Sequence, residues 1–231
     1  MRTIVKTGKA VAVTALRWSG ILTLLANRRL TRHVTVLTYH RVIDKTRLGL
    51  INSHPGIVVS DSTFFRHMAL LRNEFNPISL EQLRSNLVAG TPLPQRSCLV
   101  TFDDGWLDNY EIAFPILTEF KIPATIFLPV EFISNDTMFW QEELSMRLSW
   151  LRQHDDKSRG NEVFNNLDLK RSGVMPTDEE LNRFVESVKQ RSDADVDKTL
   201  ALVRDATSSY RAPHYNRYMS WEQIQEMKDA G

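Results

Sequence analysis

Apolar residues recur along this chain in two rhythms. Short uncharged runs, rich in β-branched and aromatic residues, mark strands at 34–39 (VTVLTY), 98–102 (CLVTF) and 124–130 (ATIFLPV). A spacing of three to four marks helices. Phe64, Met68, Leu71 and Phe75 repeat in this way behind Ser60 and Asp61, which can cap a helix start. Ser79-x-x-Gln82 is a capping-box pattern that opens a second helix, and Gly90 ends it. A further helix is predicted over 109–120, with Pro115 as a kink or restart. Strand, helix, strand with uncharged strands is the pattern of a parallel βαβ unit covered on both faces, so the predicted class is α/β.

Two regions depart from that pattern. Residues 135–210 are charged and carry helical spacing (Phe139, Leu144, Leu148, Leu151, then Leu181, Phe184, Val188) without a clear strand, so a helical insertion is predicted there. Residues 10–26 (AVAVTALRWSGILTLLA) are apolar, but Arg17 splits them into stretches shorter than the roughly 18–20 residues of a spanning helix. No A-x-A-like cleavage site follows, so neither a clear signal peptide nor a transmembrane helix is read, and the compartment stays open between cytoplasm and envelope. Val11, Ala15, Trp18, Leu22 and Leu25 share one helix face. That face either docks on the chain's own domain or makes peripheral contact with a membrane. The expected organisation is an amphipathic leader over 1–33 and one domain over 34–231 with an insertion at about 135–210. Ser220-x-x-Gln223 opens a last helix that Gly231 would cap, and a strand is expected next. Three strands fall short of the about eight that close a barrel, so the sheet reads as incomplete. Unpaired edges would make it poorly soluble.

Charge and cysteine content narrow the partners. Twenty-nine Lys and Arg stand against 28 Asp and Glu, a net charge of +1 with no basic concentration, which argues against nucleic acid. The single cysteine, Cys98, rules out an internal disulfide and a cysteine-built zinc site. Placed in an apolar strand, it is expected to be buried and inert.

The strongest chemical constellation is Thr101-Phe102-Asp103-Asp104-Gly105. Parallel sheets place ligands at the C-terminal ends of their strands, where this run falls. Two adjacent carboxylates are costly unless a cation or a proton separates their charges. A plain Asp-Asp-Gly turn with Gly105 at positive φ remains the alternative. His40 also ends a strand and can line the same cleft, although a lone histidine is equally compatible with a structural role. Trp106 is a second cleft candidate, because tryptophan can stack on a sugar ring, against a default of burial. His33, His54, His67, His154 and His214 show no ligand spacing. A glycosidase pair is disfavoured, since adjacent residues rarely reach the about 5–9 Å separation such enzymes use.

Several segments together resemble the polysaccharide deacetylases, the NodB-homology class of carbohydrate esterases: VLTYHRV (36–42), LVTFDDGWLDNY (99–110), PILTEFKIPATIFLPV (115–130) and YMSWEQIQEMKDAG (218–231). The resemblance covers most of the chain outside the leader and insertion. It implies a distorted, partly open (β/α) barrel of which this chain holds the N-terminal part. It also implies that Asp103 is the general base and Asp104 a ligand of a divalent metal, most often zinc. The remaining ligands would be histidines of an H-[ST]-x-x-H motif, normally found a few residues beyond a segment like 218–231. The chain stops at Gly231, so the expectation is that the metal is not retained and the chain is inactive. Arg211-Ala212-Pro213-His214-Tyr215 is a chance likeness to a later family motif. The implied reaction is hydrolysis of N-acetyl groups on a polysaccharide containing N-acetylated amino sugars. The alternative is a non-catalytic remnant that binds glycan or a partner in exopolysaccharide assembly.

Overall fold

A computed structural model describes residues 33–50, 53, 55–135, 137–153, 157–169 and 174–231. The expected leader, and the membrane contact assigned to it, fall outside these residues apart from His33. Among the described residues no helix is long and apolar enough to cross a membrane.

Four parallel strands form the main sheet. At its centre is β5 (Ser97–Asp103), with β1 (Thr35–Tyr39) on one side in the register Thr35↔Cys98 to Tyr39↔Phe102. On its other side β4 (Asn76–Pro77) pairs low, at Ser97 and Cys98, and β6 (Ala124–Phe127) pairs high, from Val100↔Ala124 to Asp103↔Phe127. A separate parallel pair is formed by β2 (Arg41–Ile43) and β3 (Val58–Ser60). The short β2, β3 and β4 were not legible as strands, because two or three residues cannot display a period.

The helices follow their caps. In α1 (Asp61–Glu74), Ser60 accepts from the Thr63 N–H and the face Phe64, Met68, Leu71 is buried. In α2 (Leu80–Ala89), Ser79 accepts from the Gln82 N–H, and Gly90 closes the helix at φ 65. The helix predicted over 109–120 begins instead as a π-turn, Asn109–Ala113, and continues as α3 (Phe114–Phe120) with Pro115 in its first turn. Helical residues precede Pro115, so its missing N–H interrupts the hydrogen-bond ladder, and the π-turn stands just upstream of that gap. The strand predicted over 124–130 stops at Phe127, and Val130 already starts α4 (Val130–Asn135).

Helices α1 and α3 cover one face of the sheet, where Tyr39, Phe64, Met68, Val100, Phe102 and Leu117 form a buried core with Cys98. Burial pushes the Cys98 thiol up to about 11, which keeps it protonated and unreactive. On the other face Leu99 and Thr101 of the central strand are buried at 5% and 7% exposure, whereas Val36 and Phe127 on the flanking strands are 55% and 54% exposed.

Between the βαβ unit and the last helix lie α5 (Trp140–Gln153), α6 (Lys157–Asn166), α7 (Asp178–Val188) and α8 (Asp193–Ala206). They enclose a second core, with Leu144, Leu148, Phe164, Val188 and Val203 buried. The chain returns to the sheet through residues 217–219, which lead into α9 (Trp221–Ala230) behind the Ser220–Gln223 capping box.

Candidate active site

Side chains alternate along β5, so Phe102 faces the core while Thr101 and Asp103 face the opposite side. The Thr101 hydroxyl donates to Thr38 Oγ1 at 3.0 Å on that second face. Asp103 is the last residue of the strand, 36% exposed at its side chain. The chain then turns through Asp104 at φ 70 and Gly105 at φ 63. Two successive positive φ values make a tight turn that carries both carboxylates at the sheet's C-terminal end. The turn and site readings of Asp-Asp-Gly are thus compatible. A Cβ at Gly105 would stand 2.7 Å from Leu128 Cδ2, a side-chain end that would have to shift, so glycine is favoured chiefly by its positive φ. Asp104 holds its left-handed backbone at a cost on the order of 1–3 kcal/mol.

Residues 217–219 hold this turn from outside. The Met219 N–H donates to the Gly105 carbonyl at 2.9 Å and the Leu107 N–H to the Arg217 carbonyl at 2.8 Å, while Trp106 and Tyr218 form an antiparallel bridge.

His40 sits between β1 and β2 with Nε2 at 3.6 Å from Asp103 Oδ2, and the two side chains are 31% and 36% exposed. Its carbonyl accepts from Asn109 Nδ2 at 2.8 Å, which fixes the backbone that carries it. Asp103, Asp104 and His40 therefore share one site. Burial pushes the Asp104 carboxyl above the ordinary range; His40 and the Trp106 N–H pull it down, and the charge of Asp103 adds to the rise.

Trp106 does not line the cleft as expected. It is fully buried, its Nε1–H donates to Asp104 Oδ2 at 3.3 Å, and no sugar ring can reach it. Its neighbours Leu107 and Asp108 are equally sunk, because the turn directs the chain inward.

The cluster beneath the site was not foreseen. Arg41 is fully buried and pairs with Asp108 (Nη2 to Oδ2 2.9 Å). It also donates to Ser53 Oγ, Asn216 Oδ1 and the Tyr215 carbonyl at 2.9, 2.8 and 2.6 Å. Asp108 accepts the Val42 N–H at 2.8 Å. Burial pushes the Asp108 carboxyl above the ordinary range, against the pull of Arg41. Ser53 passes the network on to Glu142 of α5 at 2.9 Å, and burial holds that carboxyl above its ordinary value. The only local signal was a charged Arg41 inside an otherwise apolar run. Tyr215 and Asn216 thus serve the network, and His214 pairs with Glu111 at 3.0 Å.

A catalytic zinc needs about three protein ligands. Among the described residues no group of three or more His, Cys, Asp or Glu side chains could hold a metal ion. Asp104 with its surroundings does not fit a complete centre.

Beside the site, an apolar cleft of about 730 Å³ lies between α3, β6 and α9, lined by Leu117, Ile126, Leu128, Met219, Ile224 and Met227 among others. It contains neither carboxylate and is not the candidate site.

Known proteins resemble this arrangement in part. Residues 90–149, which include the Asp-Asp-Gly turn, match the polysaccharide deacetylase family. The poly-β-1,6-N-acetyl-D-glucosamine N-deacetylase of Escherichia coli K12 is 40% identical over 73 residues, 31% of this chain and 11% of that protein. Bacillus subtilis YxkH, whose name marks it as a candidate polysaccharide deacetylase, is 30% identical over 95 residues, 41% of this chain and 34% of that one. The chain thus spans only a minor part of the length of these relatives. Among solved structures, a de-N-acetylase from Aggregatibacter actinomycetemcomitans superposes loosely (TM-score 0.39, 22% identity, 50% of this chain and 51% of that one). IcaB from Ammonifex degensii does likewise (TM-score 0.38, 19% identity, 86% and 80%). Over residues 90–149 the chain is thus similar to the polysaccharide deacetylase family.

Proposed function

We propose that this chain carries part of the catalytic site of a hydrolase that removes N-acetyl groups from the amino sugars of a polysaccharide. The observation that carries the reading is the Asp103-Asp104-Gly105 turn at the end of β5, with His40 at 3.6 Å from Asp103. That turn lies within the segment matching the family. Asp103 takes a proton from water, the water oxygen bonds to the acetyl carbon, and the carbon–nitrogen bond breaks. The nitrogen gains a proton and leaves as a free amine, with acetate as the second product. His40 orients the Asp103 carboxylate from the same cleft. The name of the Escherichia coli relative supports a polymer of N-acetylglucosamine as the substrate class. The domain is proposed to run over 34–231, with 135–210 inserted into it.

Asp104 is proposed as one ligand of a divalent metal, zinc by resemblance. The donors needed to complete such a site are not brought together among the described residues. The alternative reading is a non-catalytic remnant that binds glycan or a partner in exopolysaccharide assembly.

Metal content and acetate release from N-acetylglucosamine oligomers, measured on the purified 231-residue chain, test both readings. Acetate release abolished by Asp103→Asn supports the hydrolase. No release, together with retained oligomer binding, supports the remnant. Release that Asp103→Asn leaves untouched removes Asp103 from the mechanism.

A further inference from the structure

The buried tryptophan beneath the turn is placed to act on the carboxylate above it. Three groups fix its ring. The Arg41 guanidinium carbon lies 4.4 Å from the ring centroid, at stacking distance for a desolvated cation–π contact. Tyr218 packs on it with centroids 4.8 Å apart at 34°. The backbone bridge between Trp106 and Tyr218 holds its main chain. Arg41 is itself locked by Asp108, Ser53, Asn216 and Tyr215. The indole cannot turn, and its single polar atom, Nε1–H, faces Asp104 Oδ2 at 3.3 Å.

We propose that Trp106 and Arg41 are positioning residues for Asp104: Arg41 fixes the indole, and the indole N–H holds one oxygen of the Asp104 carboxylate, leaving the other free for the site's chemistry. The inference rests on the deacetylase reading for its purpose, though not for its geometry. A buried N–H aimed at a carboxylate is a charge-assisted bond, stronger than a neutral one and sensitive to small misplacement. A side chain fixed by packing and a second layer of hydrogen bonds holds a functional group far better than one free to rotate. A second arm of the same network reaches His40. Asn109 is fully buried, and its Nδ2 donates to both Asp108 Oδ1 at 3.2 Å and the His40 carbonyl at 2.8 Å. The ion pair Arg41–Asp108 therefore links the supports of both site residues.

The indole resonances of the 15N-labelled chain read this geometry directly. The chain has five tryptophans, and Trp106→Phe assigns its own signal by removing it. In Asp104→Asn the Trp106 N–H signal is expected to move upfield, because a neutral amide replaces the charged acceptor, while the other four stay in place. Arg41→Lys keeps the charge but loses the planar stack and fork, and is expected to move the same signal. A Trp106 signal that Asp104→Asn leaves unmoved overturns the proposal. Should a variant lose its fold, hydrogen exchange of the indole N–H in the unmutated protein decides: slow exchange supports a buried, bonded donor, and rapid exchange overturns it. In the acetate-release assay Trp106→Phe is expected to lower kcat about tenfold with KM nearly unchanged. A raised KM at unchanged kcat counts against positioning. If the unmutated chain releases no acetate, the deacetylase reading fails while the resonance test still decides the geometry.

Discussion

Gly105 and Gly90 both adopt positive φ, 63 and 65, yet their surroundings differ. A Cβ at Gly90 meets nothing within 4 Å, whereas at Gly105 it would press on Leu128 Cδ2 at 2.7 Å, with Met219 and Ile133 behind. Gly90→Ala therefore bears only the left-handed penalty, about 1 kcal/mol. Gly105→Ala adds overpacking, for a total of about 2–3 kcal/mol. Urea unfolding of the two variants checks this, and equal losses would show that Leu128 yields freely. Gly105→Ala should also impair any activity, because Asp104 rides on the same turn. At this scale the nearness of Asp103, Asp104 and His40 could be expected from sequence, since each stands at or just past the end of a readable strand. The sequence did not expose Arg41 and Asp108. A buried ion pair across 67 positions has no local spacing, and burial of Trp106 depends on a turn geometry that composition does not encode.

Helix ends were the most legible elements, because a cap is a local bond: Ser60, Ser79 and Ser220 all accept the predicted N–H. What holds α5 to α8 is not local. Glu143, 11% exposed at its side chain, accepts from Arg147 one turn on and from Arg204 on α8. Burial alone would raise its carboxyl, but the hydrogen bonds from Arg204 and Arg147 outweigh this and hold it below the ordinary range. A depressed carboxylate contributes stability above its unfolded pKa of about 4.3 and loses it as pH falls through the folded value. Glu143→Gln is expected to cost about 1–2 kcal/mol at pH 7, discounted for the half-exposed Arg204. The gap between variant and parent should close below about pH 4, as measured by urea unfolding across pH. A constant gap down to pH 3 would mean that shape, not charge, is at stake. The π-turn at Asn109–Ala113 lay beyond sequence reading, because its extra residue leaves the apolar pattern of α3 intact.

Across the whole molecule, the α/β class and the order of elements follow from the strand runs, whereas the exposure of Val36 and Phe127 on the flanking strands does not. Alternation places Leu37, Tyr39, Ala124 and Ile126 against the helices and leaves Val36 and Phe127 on the other side. Both strands are also unpaired along their outer edges among the described residues, since β1 and β6 each bond only to β5. An apolar cleft of about 730 Å³ adjoins the β6 edge. Open, apolar edges of this kind invite pairing with another chain, and lysine placed on them opposes it. Sedimentation velocity over a concentration series should therefore show reversible self-association of the unmutated chain. In the double variant Val36→Lys, Phe127→Lys that association is expected to weaken by about tenfold, or 1.4 kcal/mol. Neither residue lies in the buried core, so helical content should be unchanged, and circular dichroism separates a lost contact from a lost fold. A chain that stays monomeric throughout the series would mean that this face is protected by residues beyond those described, and the open-edge argument would fall.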